Sequence, residues 1–221
     1  MKILVACESS GVVREAFRKK GHTAWSCDLL PADDGSKFHL QGNVLDYIGK
    51  NNLLGDYWDL IIAHPPCTYL CGSGIHWLKE RKKKTEEEQQ KERERVQKRK
   101  IDTEKAKEFF TIFTKLNCAW CIENPIGIMS TQYRKPNQII QPYNFGHDAS
   151  KRTCLWLNKL PLLKNTKYVE PRKVEYKDKI RNRWANQTDS GQNALPPSKD
   201  RWKLRSKTYE GIGEAMAEQW G

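Results

Sequence analysis

Residues 1–21 read MKILVACESSGVVREAFRKKG, and the pattern of this opening sets the architecture to expect. Lys2–Ala6 (KILVA) is a short apolar run, as expected of a strand buried on both faces. Cys7-Glu8-Ser9-Ser10-Gly11 is a polar, small-residue turn. Val12–Lys20 follows, with Val12, Val13, Ala16 and Phe17 on one helical face. Gly21 stands where a helix C-terminus favours glycine. The same alternation continues downstream. Thr23–Cys27 reads as a strand closing on Asp28, and Asn43–Tyr47 as a short element after Gly42. Trp58–Ala63 (WDLIIA) is an apolar strand stopped by His64-Pro65-Pro66. Cys118–Ile122 and Lys151–Leu157 read as further strands, and Gly211–Trp220 as an amphipathic helix. Strands alternating with helices predict an open, doubly wound α/β sheet. Ligands bind such sheets at the carboxyl ends of the strands. The chemistry therefore belongs in the turns after Ala6, Cys27, Ala63 and Ile122.

The 221 residues suffice for one α/β domain with a small second lobe. The formal net charge of +12 points to a polyanionic partner, nucleic acid before membrane. No apolar run is long enough for a bilayer, and no signal-peptide pattern opens the chain, so a cytoplasmic protein is expected. The seven cysteines are then read as thiols, most of them small buried hydrophobes. Lys79–Lys107 has almost no apolar residues and reads as a solvated, ion-pair-laced helix or a partly disordered excursion. Asn158–Lys207 is basic, Pro-punctuated and irregular.

Four turns carry the distinctive residues. Cys7–Gly11 lacks both GxGxxG and a Walker lysine, which disfavours a pyrophosphate site. Its small residues still allow close backbone approach to a ligand. Asp28, at the end of the second strand, can bind both hydroxyls of a ribose. In His64-Pro65-Pro66-Cys67 two prolines rigidify the exit of a buried strand and present a thiol. The Gly and Ser residues that follow, Ser73 among them, allow a closing loop. Three other readings compete: a buried structural cysteine, a zinc site from His64, Cys67, Cys71 and His76, and thiol exchange at Cys118–Cys121. Glu123-Asn124-Pro125 offers a carboxylate at a strand end, suited to general acid or hydrogen-bonding work.

Pro66-Cys67 followed by Glu123-Asn124-Pro125 resembles the nucleophile and Glu-Asn motifs of DNA cytosine-5 methyltransferases, in order and in spacing. The likeness is greatest to the small members often encoded by bacteriophages and extends over most of the chain. It implies a Rossmann-like S-adenosylmethionine-dependent sheet over 1–157, with 79–107 as a charged helical insertion. Residues 158–207 would be a short basic target-recognition region, and 208–221 a closing helix that returns to the catalytic domain. Cofactor contacts are implied at Cys7, Glu8, Ser9, Ser10, Gly11, Asp28, Leu29, Asn43, Val44, Pro65, Gly211 and Ile212. The family's adenine-contacting acid is Asn43 here. Base and backbone contacts are implied at Pro66, Ser73, Asn124, Pro125, Lys151 and Thr153.

By the same resemblance Cys67 attacks carbon 6 of cytosine, Glu123 hydrogen-bonds the ring, and Arg152 holds its O2, with Lys151 the nearby second choice. S-adenosylmethionine is the expected donor, and double-stranded DNA with a flipped base the expected substrate. No metal is expected, and the chain would act as a monomer. Trp184 and Trp202, among the basic residues of the recognition region, would stack on or wedge into DNA, or pack a small lobe. The alternatives are an RNA cytosine-5 methyltransferase and an inactive nucleic-acid-binding relative.

Overall fold

Apolar runs at both ends of the first hundred and sixty residues assemble one sheet in the computed structural model, which describes residues 1–48 and 57–221. β1 (Lys2–Ala6), α1 (Val12–Lys19), β2 (Thr23–Asp28), β3 (His39–Gln41) and β4 (Leu60–Ala63) come first. α2 (Glu86–Phe113), β5 (Ala119–Pro125), α3 (Met129–Gln132), β6 (Gln138–Ile140) and β7 (Thr153–Asn158) follow. The order β3-β2-β1-β4-β5-β7-β6 makes a seven-stranded sheet. It is parallel from β3 through β5, while β7 runs antiparallel to both β5 and β6.

The two-residue period of a strand explains why the β1 run is apolar throughout. Ile3 and Val5 face a core shared with α1 and α5 (Glu210–Trp220). Leu4 and Ala6 face the opposite core, where Phe110 and Phe113 of α2 meet Trp156 of β7. Helices thus cover both faces, and no polar strand face is needed.

Several elements depart from the sequence expectation. β3 was not foreseen: three residues with an imperfect period carry too little pattern. Asn43–Tyr47 holds a 3-10 turn, Val44–Asp46, whose first free N–H is capped by the Asn43 side chain at Leu45, 3.1 Å. The charged stretch is ordered. Thr85 caps α2 through the Glu88 N–H at 3.2 Å, and three glutamates follow at the positive end of the helix. Glu92, Val96, Thr103, Phe110 and Phe113 are buried along it, so the helix is docked and not a free excursion. The basic C-terminal stretch also contains regular structure: a separate hairpin of β8 (Arg172–Glu175) and β9 (Ile180–Arg183), then α4 (Arg201–Ser206). No helix among the described residues is long and apolar enough to cross a membrane.

Candidate functional site

β1 lies between β2 and β4, so the chain leaves it in opposite directions and a crevice opens at the carboxyl edge. The loops after β1, β2, β4 and β5 converge on that edge. Ala63 pairs with Ile122, so His64–Cys67 leave β4 beside Glu123–Pro125, which extend β5 past the end expected at Ile122. Asn124 clamps them: its buried Nδ2 donates to the Pro65 carbonyl at 2.7 Å. His64 Nδ1 stands 3.3 Å from Glu123 Oε2. Pro65 is buried, Pro66 exposed, and Cys67 half-buried at the start of a turn whose N–H groups at Leu70 and Cys71 donate to the Cys67 carbonyl.

Burial raises the Cys67 thiol, and Cys71 and Glu123 push it the same way, while Lys151 opposes them. Cys67 is therefore a thiol at neutral pH and must lose its proton to act. Burial also raises the Glu123 carboxyl, but the His64 hydrogen bond, the Lys151 charge and the Thr153 hydroxyl outweigh it and hold the group below the usual carboxylate range. Lys151 thus acts on both groups. Thr153 is buried opposite Pro125 in the β5–β7 ladder. Arg152 is exposed and does not figure among the groups that shift either Cys67 or Glu123. The sequence favours Arg152 as the basic residue of the site; of the two that precede β7, Lys151 is the half-buried one, and its charge bears on both groups.

Buried His64 Nε2 and Asn124 Oδ1 have no hydrogen-bond partner among the described residues. Two unsatisfied polar atoms beside a thiol and a carboxylate suit a polar ligand or water. Among the described residues no group of three His, Cys, Asp or Glu side chains could hold a metal, so His64, Cys67, Cys71 and His76 form no ligand set. Cys121 is buried inside β5, and burial raises its thiol strongly, which removes the thiol-exchange reading.

At the β1 end, Cys7 and Gly11 adopt left-handed backbone, φ 60° and 70°. The Glu8 carboxylate accepts from Val13 N–H at 2.8 Å and Arg14 N–H at 3.3 Å. Ser10 Oγ accepts from Val12 N–H at 3.4 Å. Side chains therefore occupy the first N–H groups of α1, and the turn presents no phosphate cradle. Glu8, which the resemblance makes a cofactor contact, is engaged as a helix cap. Asp28 uses Oδ1 to accept from Leu30 N–H at 2.9 Å, leaving Oδ2 without a partner among the described residues, and Leu29 beside it is 74% exposed. Val44 is buried in the core, and Asn43 is engaged as a cap. Ile212 is a core residue, and a Cβ on Gly211 would overlap the Phe145 carbonyl, so both hold α5 in place. Neither the Val44 nor the Ile212 side chain is available as a cofactor contact.

Three features escaped sequence reasoning because each depends on tertiary contact. Arg99 of α2 donates to the Thr68 carbonyl at 3.1 Å and covers the Tyr69 ring, bracing the residues after Cys67. Arg95 reaches the Trp77 carbonyl at 2.9 Å and, with Arg81, flanks the Trp77 ring. α4 straddles the crevice: Lys203 pairs with Asp33 at 2.7 Å, and the Lys151 ammonium donates to the Ser206 and Lys207 carbonyls. A separate cleft of about 590 Å³ lies elsewhere, between α1, α5 and the Phe145–His147 turn. Ion pairing of Lys20 with Glu218 crosses it, and it holds no cysteine, so the crevice at the carboxyl edge is the better candidate.

Compared with protein-family models and with curated proteins, the chain shows no match.

Proposed function

We propose that this chain transfers a methyl group to carbon 5 of cytosine in double-stranded DNA, with Cys67 as nucleophile. One observation carries the reading: Cys67 follows β4 and Glu123 lies near the end of the adjacent β5, at the same sheet edge, and the Lys151 charge bears on both. A cytosine extruded from the duplex would enter between them.

The Cys67 sulfur adds to carbon 6, making the S–C6 bond and pushing electrons toward carbon 5 and N3. Glu123 hydrogen-bonds the exocyclic amine and N3. Because its carboxyl is held below the usual range, the proton it lends to N3 must arrive with the substrate or through His64, 3.3 Å away. Lys151 contacts the base and lowers the cost of forming the thiolate. Asn124 fixes the Pro65 carbonyl and thereby the direction of the nucleophile loop. As carbon 5 takes the methyl group, the bond from methyl to the donor sulfur would break and its electron pair would stay on that sulfur as a neutral thioether; carbon 5 then loses its proton to water, N3 returns its proton to Glu123, the S–C6 bond breaks, and the Cys67 thiolate is regenerated.

The donor would be S-adenosylmethionine, which supplies an electrophilic methyl group on a sulfonium centre. The residues fit such a group: the free Asp28 oxygen suits ribose hydroxyls, exposed Leu29 suits an adenine face, and the turn capped by Glu8 is unsuited to a phosphate. Ser9, Ser10 and Gly11 line the same turn. Basic residues of 158–207 would bind backbone phosphates. Trp184 is already stacked on Tyr143, ring centres 4.2 Å apart, whereas Trp202 is 61% exposed and remains the candidate for wedging into the duplex.

The test is expression in a methylation-free bacterial host, followed by mass spectrometry of nucleosides from its DNA, with Cys67→Ala alongside. The reading expects 5-methylcytosine that disappears in the variant. Folded protein with no signal in DNA, but with 5-methylcytidine in host RNA, would replace DNA by RNA as substrate. No signal in either would leave a binding protein.

A further inference from the structure

The β8–β9 hairpin stands outside the main sheet and has one anchored face and one bare face. Its register pairs Arg172 with Arg183, Lys173 with Asn182, Val174 with Arg181 and Glu175 with Ile180. Side chains alternate along each strand, so Arg172, Val174, Arg181 and Arg183 share one face. That face is fastened: Arg172 pairs with Asp189 at 2.6 Å and donates to the Gln187 carbonyl, and Arg183 donates to the Asp189 carbonyl at 2.9 Å. Lys173, Glu175, Ile180 and Asn182 share the other. All four are exposed, Ile180 at 73%, and among the described residues none of their side chains has a hydrogen bond or an ion pair.

The tip is a two-residue turn. Lys177 and Asp178 both have left-handed backbone, φ 51° and 56°, and Tyr176 N–H donates to the Lys179 carbonyl at 3.0 Å. Such a turn matches the twist of a tight ribbon. Over 172–183 six basic residues face two acidic ones, a charge balance complementary to a polyanion. The residues directly after the hairpin tie it to the segment that leads into Lys151. Asn186 exchanges two hydrogen bonds with Ser150, at 2.9 and 3.0 Å, and Ser150 adjoins Lys151. Ala185 N–H donates to Asp148 at 2.9 Å, and Trp184 stacks on Tyr143.

We propose that the β8–β9 ribbon enters the major groove of duplex DNA and lays Lys173, Glu175, Ile180 and Asn182 against the base edges. This rests on DNA being the substrate of the Cys67 site. The B-form major groove admits a two-stranded ribbon. The bare face carries the chemistry that base edges call for: an amide that pairs with adenine, an ammonium for guanine, a carboxylate for the cytosine amine and a branched alkyl group for the thymine methyl. Lys177 and Lys179, exposed at the tip, would pair with flanking phosphates. The deep, narrow major groove of A-form RNA would not take the ribbon, which favours DNA as its partner.

The experiment selects full-length protein on a randomised DNA duplex pool and repeats the selection with a Lys173→Ala/Asn182→Ala double variant and with Ile180→Ala. Anisotropy then measures each protein on the enriched duplex, on a scrambled duplex and on single-stranded RNA. All substituted side chains are exposed, so the melting temperature is expected to hold and is measured as the control. The wild type should enrich a subset of sequences. The double variant should lose the preference roughly tenfold or more while its affinity for scrambled duplex falls far less. Four results overturn the proposal: a preference unchanged in the variants, equal loss on both duplexes, no preference in the wild type, or tighter binding to the RNA. The first leaves the DNA reading standing, because only the ribbon fails. Absence of any duplex binding by the wild type fails both readings together. Methyl transfer is scored separately, so an inactive protein that binds selectively removes the enzyme reading and keeps the ribbon.

Discussion

Glu8 illustrates how a residue can stand at a ligand site and still belong to the fold. Its carboxylate satisfies two N–H groups at the start of α1, a position where an anion is also favoured by the helix dipole. Glu8→Ala should cost about 1–2 kcal/mol in a denaturant melt, by loss of the cap. A cost near zero would show that water replaces the carboxylate fully. Lys151 and Arg152 form the second contrast. Lys151 lowers both the Cys67 thiol and the Glu123 carboxyl, so its loss should raise both. Lys151→Ala is expected to cut methyl transfer at least about tenfold, and Arg152→Ala less. The same variant should move the pH profile of Cys67 alkylation upward. In the wild type that profile should already be slow at neutral pH and climb above the ordinary thiol range, because only the thiolate reacts and burial disfavours it. Fast alkylation at pH 7 would contradict the thiol state assigned to Cys67. Sequence alone showed the basic pair but not which member turns inward, because both precede β7 and the alternation of a strand does not extend to them.

At the scale of elements, α2 is the unexpected contributor. Most of its outer surface is charged, yet Arg99 and Arg95 hold the segment after Cys67 by its carbonyls and rings. The Arg95 hydrogen bond holds Glu92 down to about 2. A carboxyl depressed in the fold stabilises it fully above the ordinary Glu range, and that contribution fades as pH falls toward 2. Arg99→Ala should leave the fold within about 1–2 kcal/mol, since one partly exposed hydrogen bond is removed. It should nevertheless speed hydrogen exchange over 68–78 and lower turnover without weakening donor binding. Unchanged exchange in that segment would remove α2 from the positioning of Cys67. The buried stripe of α2 is hard to see in sequence: Val96 and Thr103 are separated by runs of charge, and Phe110 and Phe113 come only at the end.

Across the whole molecule, α5 closes the structure onto α1, and Gly211 lets its first turn lie close against the Phe145 carbonyl. A Cβ on Gly211 would overlap the Phe145 carbonyl, while Gly213 sits against Val12 and Val13. Gly211→Val should destabilise by about 1–3 kcal/mol through overpacking, read as a lower melting temperature. On the opposite face Trp156 is fully buried against Phe110, and Trp156→Ala should cost about 3–5 kcal/mol. The sequence by itself determined the α/β class, the strands β1, β2, β4 and β5, and the placing of Cys67 and Glu123 toward the carboxyl ends of β4 and β5. Those are local: continuous apolar runs, prolines at strand exits and glycine at a helix end act within a few residues. Only the tertiary structure decided that β7 runs antiparallel, that the Lys151 charge bears on both the thiol and the carboxylate, that Val44 and Ile212 are core, and that α2 braces the segment after Cys67. Each of these is set by which surfaces meet across the sheet, and pairwise contact between distant segments leaves no periodic mark on the chain that makes it.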